Sequence, residues 1–397
     1  MSFAANLDSI QAALREAGLD GWLFYDHHHR DPIAYRILGL PANAHVTRRW
    51  YYFVPAVGEP RKLVHRIEAG RLDTLPGTKG VYSSWQELES GLETMLRPFT
   101  KFAMQYSPRN AIMYVSMVDA GTVEFLREKG KTIVSSADLV SQFEAVLSTA
   151  AITSHFEAQA AIDTILAEGF REIGRRLRPA SGSAVRTTEF DIVQWLSEAM
   201  RRESLTWENG PNVSVNENSA DSHYEPTAEG SREIRNGDFV LIDIWGRKDR
   251  PDTCYYDITW TGVAGREPSD EEQKVFSIVT AARDAAIHAV TSAYAQRRPI
   301  AGWEADEACR KVITDAGYGP WFTHRTGHNI GFEIHGSGAH LDNLETHDER
   351  LLLPHTCFSV EPGIYLEKFG LRSEIDMITS NEKAVVTGRI QTELVRI

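Results

Sequence analysis

Apolar positions in the first part of the chain alternate between helical and strand spacing. Residues 10–19 read as a helix, and the apolar run GWLFYD (21–26) that follows reads as a buried strand. Strand-like WYYFVPAV (50–57) and AIMYVS (111–116) then flank the helical SWQELESGLETML (84–96). This alternation predicts an α/β unit ending near residue 150. Beyond it Ile162, Leu166, Phe170, Ile173 and Leu177 recur at intervals of four, four, three and four, the stripe of one long amphipathic helix. RPASGSA (178–184) supplies its stop, and TEFDIVQWLSEAMRRE (188–203) a second helix. After residue 205 short strands appear, DFVLIDIW (238–245) and CYYDITWTG (254–262), followed by helices at 269–297 and 303–316. CFSVEPGIYLE (357–367) and SEIDMITS (373–380) are again strand-like. The expected organisation is a smaller N-terminal α/β domain, residues 1–150, and a larger α+β domain, residues 151–397.

Four acids break these patterns. Asp243 stands among the aliphatic residues of DFVLIDIW, and Asp257, fourteen residues later, inside the equally apolar CYYDITWTG. The intervening GRKDRPD (246–252) reads as a hairpin loop that would lay the two strands side by side. Glu361 in FSVEPGIY and Glu374 in LRSEIDMI share the same setting. A buried, unpaired carboxylate is costly and either takes up a proton or finds a cation. The segment HRTGHNIGFEIHG (324–336) adds three histidines, His324, His328 and His335. Carboxylates with a neutral imidazole make an oxygen-rich donor set that suits two divalent ions, Mn²⁺ ahead of a thiolate-bound zinc.

Composition narrows the partners. A formal charge of −13 argues against nucleic acid, whose phosphates most of this surface would repel. No stretch approaches the roughly 20 apolar residues of a membrane span. The N-terminus, with Asp8, Arg15 and Glu16 at helical spacing, does not read as a signal peptide. Three cysteines, Cys254, Cys309 and Cys357, without a C-x-x-C motif, point to buried thiols in a reducing compartment, so a cytoplasmic location is expected.

From about residue 150 onward the chain resembles the pita-bread metallohydrolases, the family of prolidase, aminopeptidase P, methionine aminopeptidase and creatinase. YDITWT, GHNIGFEIHG, VEPGIY and LRSEIDMIT are similar to its ligand-bearing segments. The resemblance implies a pita-bread catalytic domain at 151–397 behind a creatinase-like N-terminal domain. It places five metal ligands, in order, on Asp243, Asp257, His328, Glu361 and Glu374. Asp257 and Glu374 would bridge two divalent ions, with Mn²⁺ the first candidate and Zn²⁺ or Co²⁺ the others. The family's usual spacing between the two aspartates would land on Cys254, so an insertion in GRKDRPD is inferred, with Asp252 the rival ligand. Trp245 and Trp260 also depart from the family pattern and leave substrate preference open.

The resemblance further implies an attack on an amide by water made acidic between the two ions. Glu361 would move the proton, His335 and His223 would donate to the oxyanion, and Arg372 would orient Glu374 or the substrate end. His324 would line the pocket. The expected activity is Xaa-Pro dipeptidase, acting on an Xaa-Pro dipeptide or short peptide. The alternatives are an aminopeptidase on longer peptides, a creatinase-like or lyase-type enzyme, and a metal-free binding module. Reading a dipeptide's carboxylate needs a cation, and His340, His347 and Arg350 in the loop 338–355 are the candidates. His27, His28 and His29 read as a loop at the end of GWLFYD, reaching toward a pocket of the same or a neighbouring subunit. A homodimer is expected on the resemblance.

Overall fold

In the computed structural model, residues 3–178 and 186–397 are described. The chain folds as two compact units, Met1–Glu144 and Ala145–Ile397. Of the helix stop RPASGSA, residues 179–184 lie outside the described residues.

In the first unit, helices α1 (Phe3–Glu16), α2 (Pro32–Leu38), α3 (Trp85–Leu96), α4 (Ala120–Glu128) and α5 (Ala137–Phe143) accompany strands β1 (Gly21–Asp26), β2 (Trp50–Pro55), β3 (Arg61–His65), β4 (Thr78–Tyr82), β5 (Lys101–Met104) and β6 (Thr132–Ser135). The strands form one mixed sheet in the order β4-β3-β2-β1-β5-β6. β1 and β2 are buried along their whole length, as unbroken apolar runs require. α1 stops earlier than its apolar pattern suggests, because Gly18 takes φ +63° and turns the chain. AIMYVS is not a strand. Ala111, Val115 and Ser116 donate their N–H groups to carbonyls three residues back, which closes tight 3₁₀ turns and leaves no ladder to join.

The second unit contains helices α6 (Thr149–Leu177), α7 (Glu189–Arg202), α8 (Asp270–Ala295) and α9 (Gly302–Asp315). Its strands are β7 (Leu205–Thr206), β8 (Asn212–Val215), β9 (Phe239–Lys248), β10 (Tyr256–Val263), β11 (Asn329–Ile330), β12 (Cys357–Val360), β13 (Gly363–Leu366), β14 (Phe369–Arg372), β15 (Ile375–Thr379), β16 (Ala384–Thr387) and β17 (Val395–Arg396). β17, β10, β9 and β7 form one sheet, with β8 also on β9; β11-β12-β15-β16 form another, and β13 pairs with β14. CFSVEPGIYLE therefore splits in two. Pro362 lacks the N–H that would continue the ladder, and Glu361 is left at the break.

Helix starts are set by local chemistry. Ser148 Oγ accepts from Ala151 N–H at the head of α6, and Ser269 with Glu272 closes a reciprocal capping box on α8. The α6 stripe packs Ile162, Leu166 and Phe170 into a core with Leu196 of α7 and with Ile242, Ile244, Tyr256 and Ile258 of β9 and β10. Side chains alternate between the faces of a strand. With that face on the helices, the odd-numbered residues of β9 and β10 face the other way.

Candidate metal centre

β9 and β10 pair antiparallel with Thr259 opposite Asp243 and Asp257 opposite Trp245. All four are on the face turned away from α6 and α7. The structure thus brings Asp257 beside Asp243. Asp252 stays in the exposed hairpin loop, where it accepts from Ser148 Oγ at 2.8 Å. Trp245 shares the acidic face, with its indole N–H donated to Glu208 O. Trp260 lies on the opposite face against the helical core, so only Trp245 is placed to shape a ligand near the acids.

His328 enters from the segment before β11. A Cβ on Gly327 would meet Ser359 O at 1.9 Å, so only glycine lets this backbone lie so close to β12. Ser359 then holds the neighbourhood together. Its Oγ accepts from His328 N–H at 2.9 Å and donates to Glu361 Oε1 at 3.1 Å. Glu374 follows β14, where Thr259 Oγ1 donates to its Oε2 at 2.5 Å. Asp257 N–H is tied to Asp376 Oδ2 at 2.8 Å.

These elements put one ligating atom each of Asp257, His328 and Glu374 within 4.8 Å of one another, all three residues buried. His328 Nδ1 faces the Asn329 carbonyl at 3.3 Å, which assigns the proton to Nδ1 and leaves a lone pair on Nε2. That lone pair points at Glu361 Oε1, 3.3 Å away, and Asp257 Oδ2, 3.7 Å away. Burial holds His328 down at about 3, so the ring does not supply the missing charge by protonation. Burial, with Asp243 adjacent, pushes the Asp257 carboxyl well above the usual range, and burial with Asp257 adjacent does the same to Glu374. Asp243 Oδ1 and Asp257 Oδ1 are buried with no hydrogen-bond partner among the described residues. Orphaned oxygens, a lone pair aimed at carboxylates and an all-oxygen-and-nitrogen donor set fit divalent cations.

The other predicted residues separate. Arg372 reaches Glu374 through Thr259: its Nε donates to Thr259 Oγ1 at 3.1 Å, and that hydroxyl donates to Glu374; its Nη2 donates to Asp243 Oδ2 and its Nη1 to Tyr365 OH at 3.4 Å. His324 Nδ1 faces Arg325 O and its Nε2 faces Tyr365 OH, each at 2.7 Å, which makes the ring a strut under the pocket. The His335 ring packs edge-on against that of His328, centroids 4.3 Å apart; the repulsion that would arise if both rings were protonated, followed by burial, lowers it to about 3. His223 is exposed.

Arg350 corrects the expected carboxylate reader. It is buried and spends Nε and Nη2 on Asp348 and Nη1 on Ser337 O, stapling its own loop. His340 is buried, with Nδ1 accepting from Asn329 N–H, and His347 is bonded to Asn343 Oδ1 at the surface. Arg325 was missed, although it follows His324 directly. Its charge acts on His328, His335 and His340. Thr259, Tyr365 and Asp376 were also missed, since nothing local in the sequence marks a partner so distant. In the first unit, His28 and His29 take positive φ, and His29 N–H donates to Asp26 Oδ2, so the triplet forms a turn off β1.

Comparison with known proteins adds to this geometry. The model for metallopeptidase family M24 matches residues 157–381. The chain is 31% identical over 209 residues to "Probable dipeptidase PepE" of Mycobacterium bovis, covering 52% of each. It is 32% identical over 163 residues to the Xaa-Pro dipeptidase of Lactobacillus delbrueckii subsp. lactis, covering 41% of this chain and 40% of that one. The matches thus span about half or less of the curated relatives' length. Over 99% of this chain and 97% of the other, the fold is similar to the crystal structure of dipeptidase PepE from Mycobacterium ulcerans, with TM-score 0.73 and 24% identity.

Proposed function

Because the chain belongs to metallopeptidase family M24, we propose that it is a dinuclear-metal hydrolase that cleaves the peptide bond before proline, acting as an Xaa-Pro dipeptidase. In this reading Asp243, Asp257, His328, Glu361 and Glu374 would hold the two ions. One observation carries it: the unprotonated His328 Nε2 faces Glu361 and Asp257 with no donor between them. A cation in that space makes the arrangement stable, which also speaks against a metal-free binding module. When bound, such ions make a water acidic enough to attack near neutral pH and polarise a carbonyl oxygen.

The side chains supply the remainder. Glu361, with Ser359 Oγ on its Oε1, accepts the water's proton and returns it to the leaving nitrogen. His335, neutral, still has one N–H to donate to the developing oxyanion, and His223 is a second donor from the exposed side. Arg372 fixes Asp243, while His324 and Tyr365 brace it from below. Arg325 replaces Arg350 as the cation proposed to read a dipeptide carboxylate.

The relative named Xaa-Pro dipeptidase supports the dipeptide as substrate. Mn²⁺ is the proposed metal ahead of Zn²⁺ and Co²⁺, a homodimer the proposed assembly and the cytoplasm the proposed location. No helix among the described residues is long and apolar enough to cross a membrane. Residues 1–150 are proposed as a creatinase-like domain and 151–397 as the catalytic pita-bread domain. The test is hydrolysis of Xaa-Pro dipeptides, longer Xaa-Pro peptides and non-peptide amidines, each with and without added Mn²⁺. Dipeptides should be cleaved fastest and only with metal. Turnover confined to the longer peptides or to the amidines would overturn the reading.

A further inference from the structure

A second cluster of ligating atoms lies in the C-terminal unit, and it is made of sulfur and nitrogen. His155 comes from α6, Cys254 from the approach to β10 and Cys357 from the first position of β12. One ligating atom of each lies within 4.8 Å of the others, and all three residues are fully buried. None of them takes part in the proposed hydrolysis.

The spacing is that of a coordination site. Cys357 Sγ lies 3.8 Å from His155 Nδ1. A tetrahedral ion with metal–sulfur bonds of about 2.3 Å and metal–nitrogen bonds of about 2.0–2.1 Å separates its S and N donors by roughly 3.6 Å. The far side of the imidazole is also arranged as in a metal ligand. His155 Nε2 is 2.8 Å from Thr387 Oγ1, which in turn reaches Asp376 O at 3.4 Å. An outer partner of this kind fixes the ring and leaves the near nitrogen free to ligate. Without an ion, Nδ1 donates to Tyr255 O at 2.6 Å, and Cys254 Sγ contacts the same carbonyl at 3.4 Å. That carbonyl oxygen thus lies beside both side chains.

We propose that His155, Cys254 and Cys357 form a structural site for a thiophilic cation, Zn²⁺ by its preference for cysteine and histidine donors. The ion ties α6 to the strand that carries Asp257, three residues after Cys254, and to the strand that leads into Glu361, four residues after Cys357. Buried as it is, the site fills as the chain folds. The inference does not depend on the peptidase reading.

The test uses cobalt as the probe. Full-length protein is made in cells supplied with Co²⁺ in place of zinc and purified under reducing conditions. Thiolate-bound Co²⁺ has an intense near-ultraviolet charge-transfer band that oxygen and imidazole donors do not produce, so the Asp–His–Glu centre is silent in this measurement. The expected result is that band at about one sulfur-bound cobalt per chain, lost in Cys254→Ala and in Cys357→Ala and retained in Asp243→Asn and in Cys309→Ala. Since either alanine change at the site can impair folding, the wild-type protein is also treated with a mercurial. About one metal should be released as the two site thiols react. Absence of the band, no metal release on thiol modification, or Cys254 and Cys357 recovered as a disulfide would each overturn the proposal.

Discussion

Arg372 and Asp243 form an ion pair at the heart of the acidic face, the guanidinium Nη2 donating to Asp243 Oδ2. Both come from strands, β14 and β9, so neither side chain has much freedom to part from the other. Asp243 keeps its second oxygen, Oδ1, without a hydrogen-bond partner among the described residues. One oxygen is thus neutralised by the protein and one is left for an ion. Arg372→Ala removes the permanent partner of a buried charge, a change that ordinarily costs about 3–5 kcal/mol. The loss should be near that range in chelator-treated protein and clearly smaller with saturating Mn²⁺, because the ion then meets the Asp243 charge. Urea unfolding under the two conditions measures the difference; an equal loss in both would mean that Asp243 does not share its charge with a metal.

Asp257 and Asp252 offer a direct comparison between a buried and an exposed aspartate of one hairpin. Asp257 sits in the β9–β10 ladder beside His328, while Asp252 accepts a hydrogen bond from Ser148 in the exposed loop. Asp257→Asn is nearly isosteric and spares the backbone N–H bonded to Asp376, so it removes charge without emptying the space. Its kcat/KM on an Xaa-Pro dipeptide should fall by more than the roughly 10–100-fold that loss of an outer-shell metal partner costs. Asp252→Asn should stay within about twofold, at the scale of a surface change. Steady-state kinetics with added Mn²⁺ and metal content per chain decide it, and the reverse order would return the ligand role to Asp252.

The α+β fold with its pita-bread domain was legible because its main elements are strongly patterned. The α6 stripe from Ile162 to Leu177 and the apolar runs around Asp243 and Asp257 needed no tertiary information. The same cues misled at AIMYVS, where apolar residues fill 3₁₀ turns whose backbone bonds are satisfied locally. Acids in apolar strands marked the candidate centre, since a buried carboxylate demands a partner. What they did not reveal was the identity of that partner. Register decides that Trp245 faces the acids and Trp260 does not, and register depends on the hairpin that the sequence leaves ambiguous. Arg372 and Arg350 each find carboxylates through contacts set by the fold, which proximity in the chain does not reveal.

Arg350 illustrates the consequence for specificity. Its bidentate pair with Asp348 is buried on both sides, and Nη1 holds Ser337 O in the segment just after His335. Arg350→Ala should therefore destabilise the protein by about 3–5 kcal/mol, the cost of stranding a buried partner. It should leave the ratio of kcat/KM for a dipeptide to that for a longer Xaa-Pro peptide within about twofold, as for a residue outside the specificity pocket. Arg325→Met should shift that ratio against the dipeptide. Measuring both ratios alongside thermal unfolding separates the loop staple from the carboxylate reader, and a selective loss of dipeptide activity in Arg350→Ala would restore the original assignment.

A last prediction concerns acid stability and lies away from the metal centre. Glu272 closes the α8 capping box with Ser269 and receives a fork from Arg266 at 2.6 and 2.7 Å. Burial pushes its carboxyl up, but the Arg266 and Ser269 donors outweigh that, so the group ionises below its ordinary value of 4.5. A depressed folded-state value means that the unfolded chain binds the proton more readily. Stability from this group is then fully present above the unfolded value of about 4.3 and is lost as pH falls through the folded one. Glu272→Gln should be less stable than wild type by about 1–3 kcal/mol at neutral pH, the range for hydrogen bonds to a charged group. The gap should close progressively from about pH 5 downward, as wild-type Glu272 itself becomes protonated. Urea unfolding of both proteins in steps across that interval provides the check; a gap that stays constant in acid would show that the carboxylate charge is not what holds the start of α8.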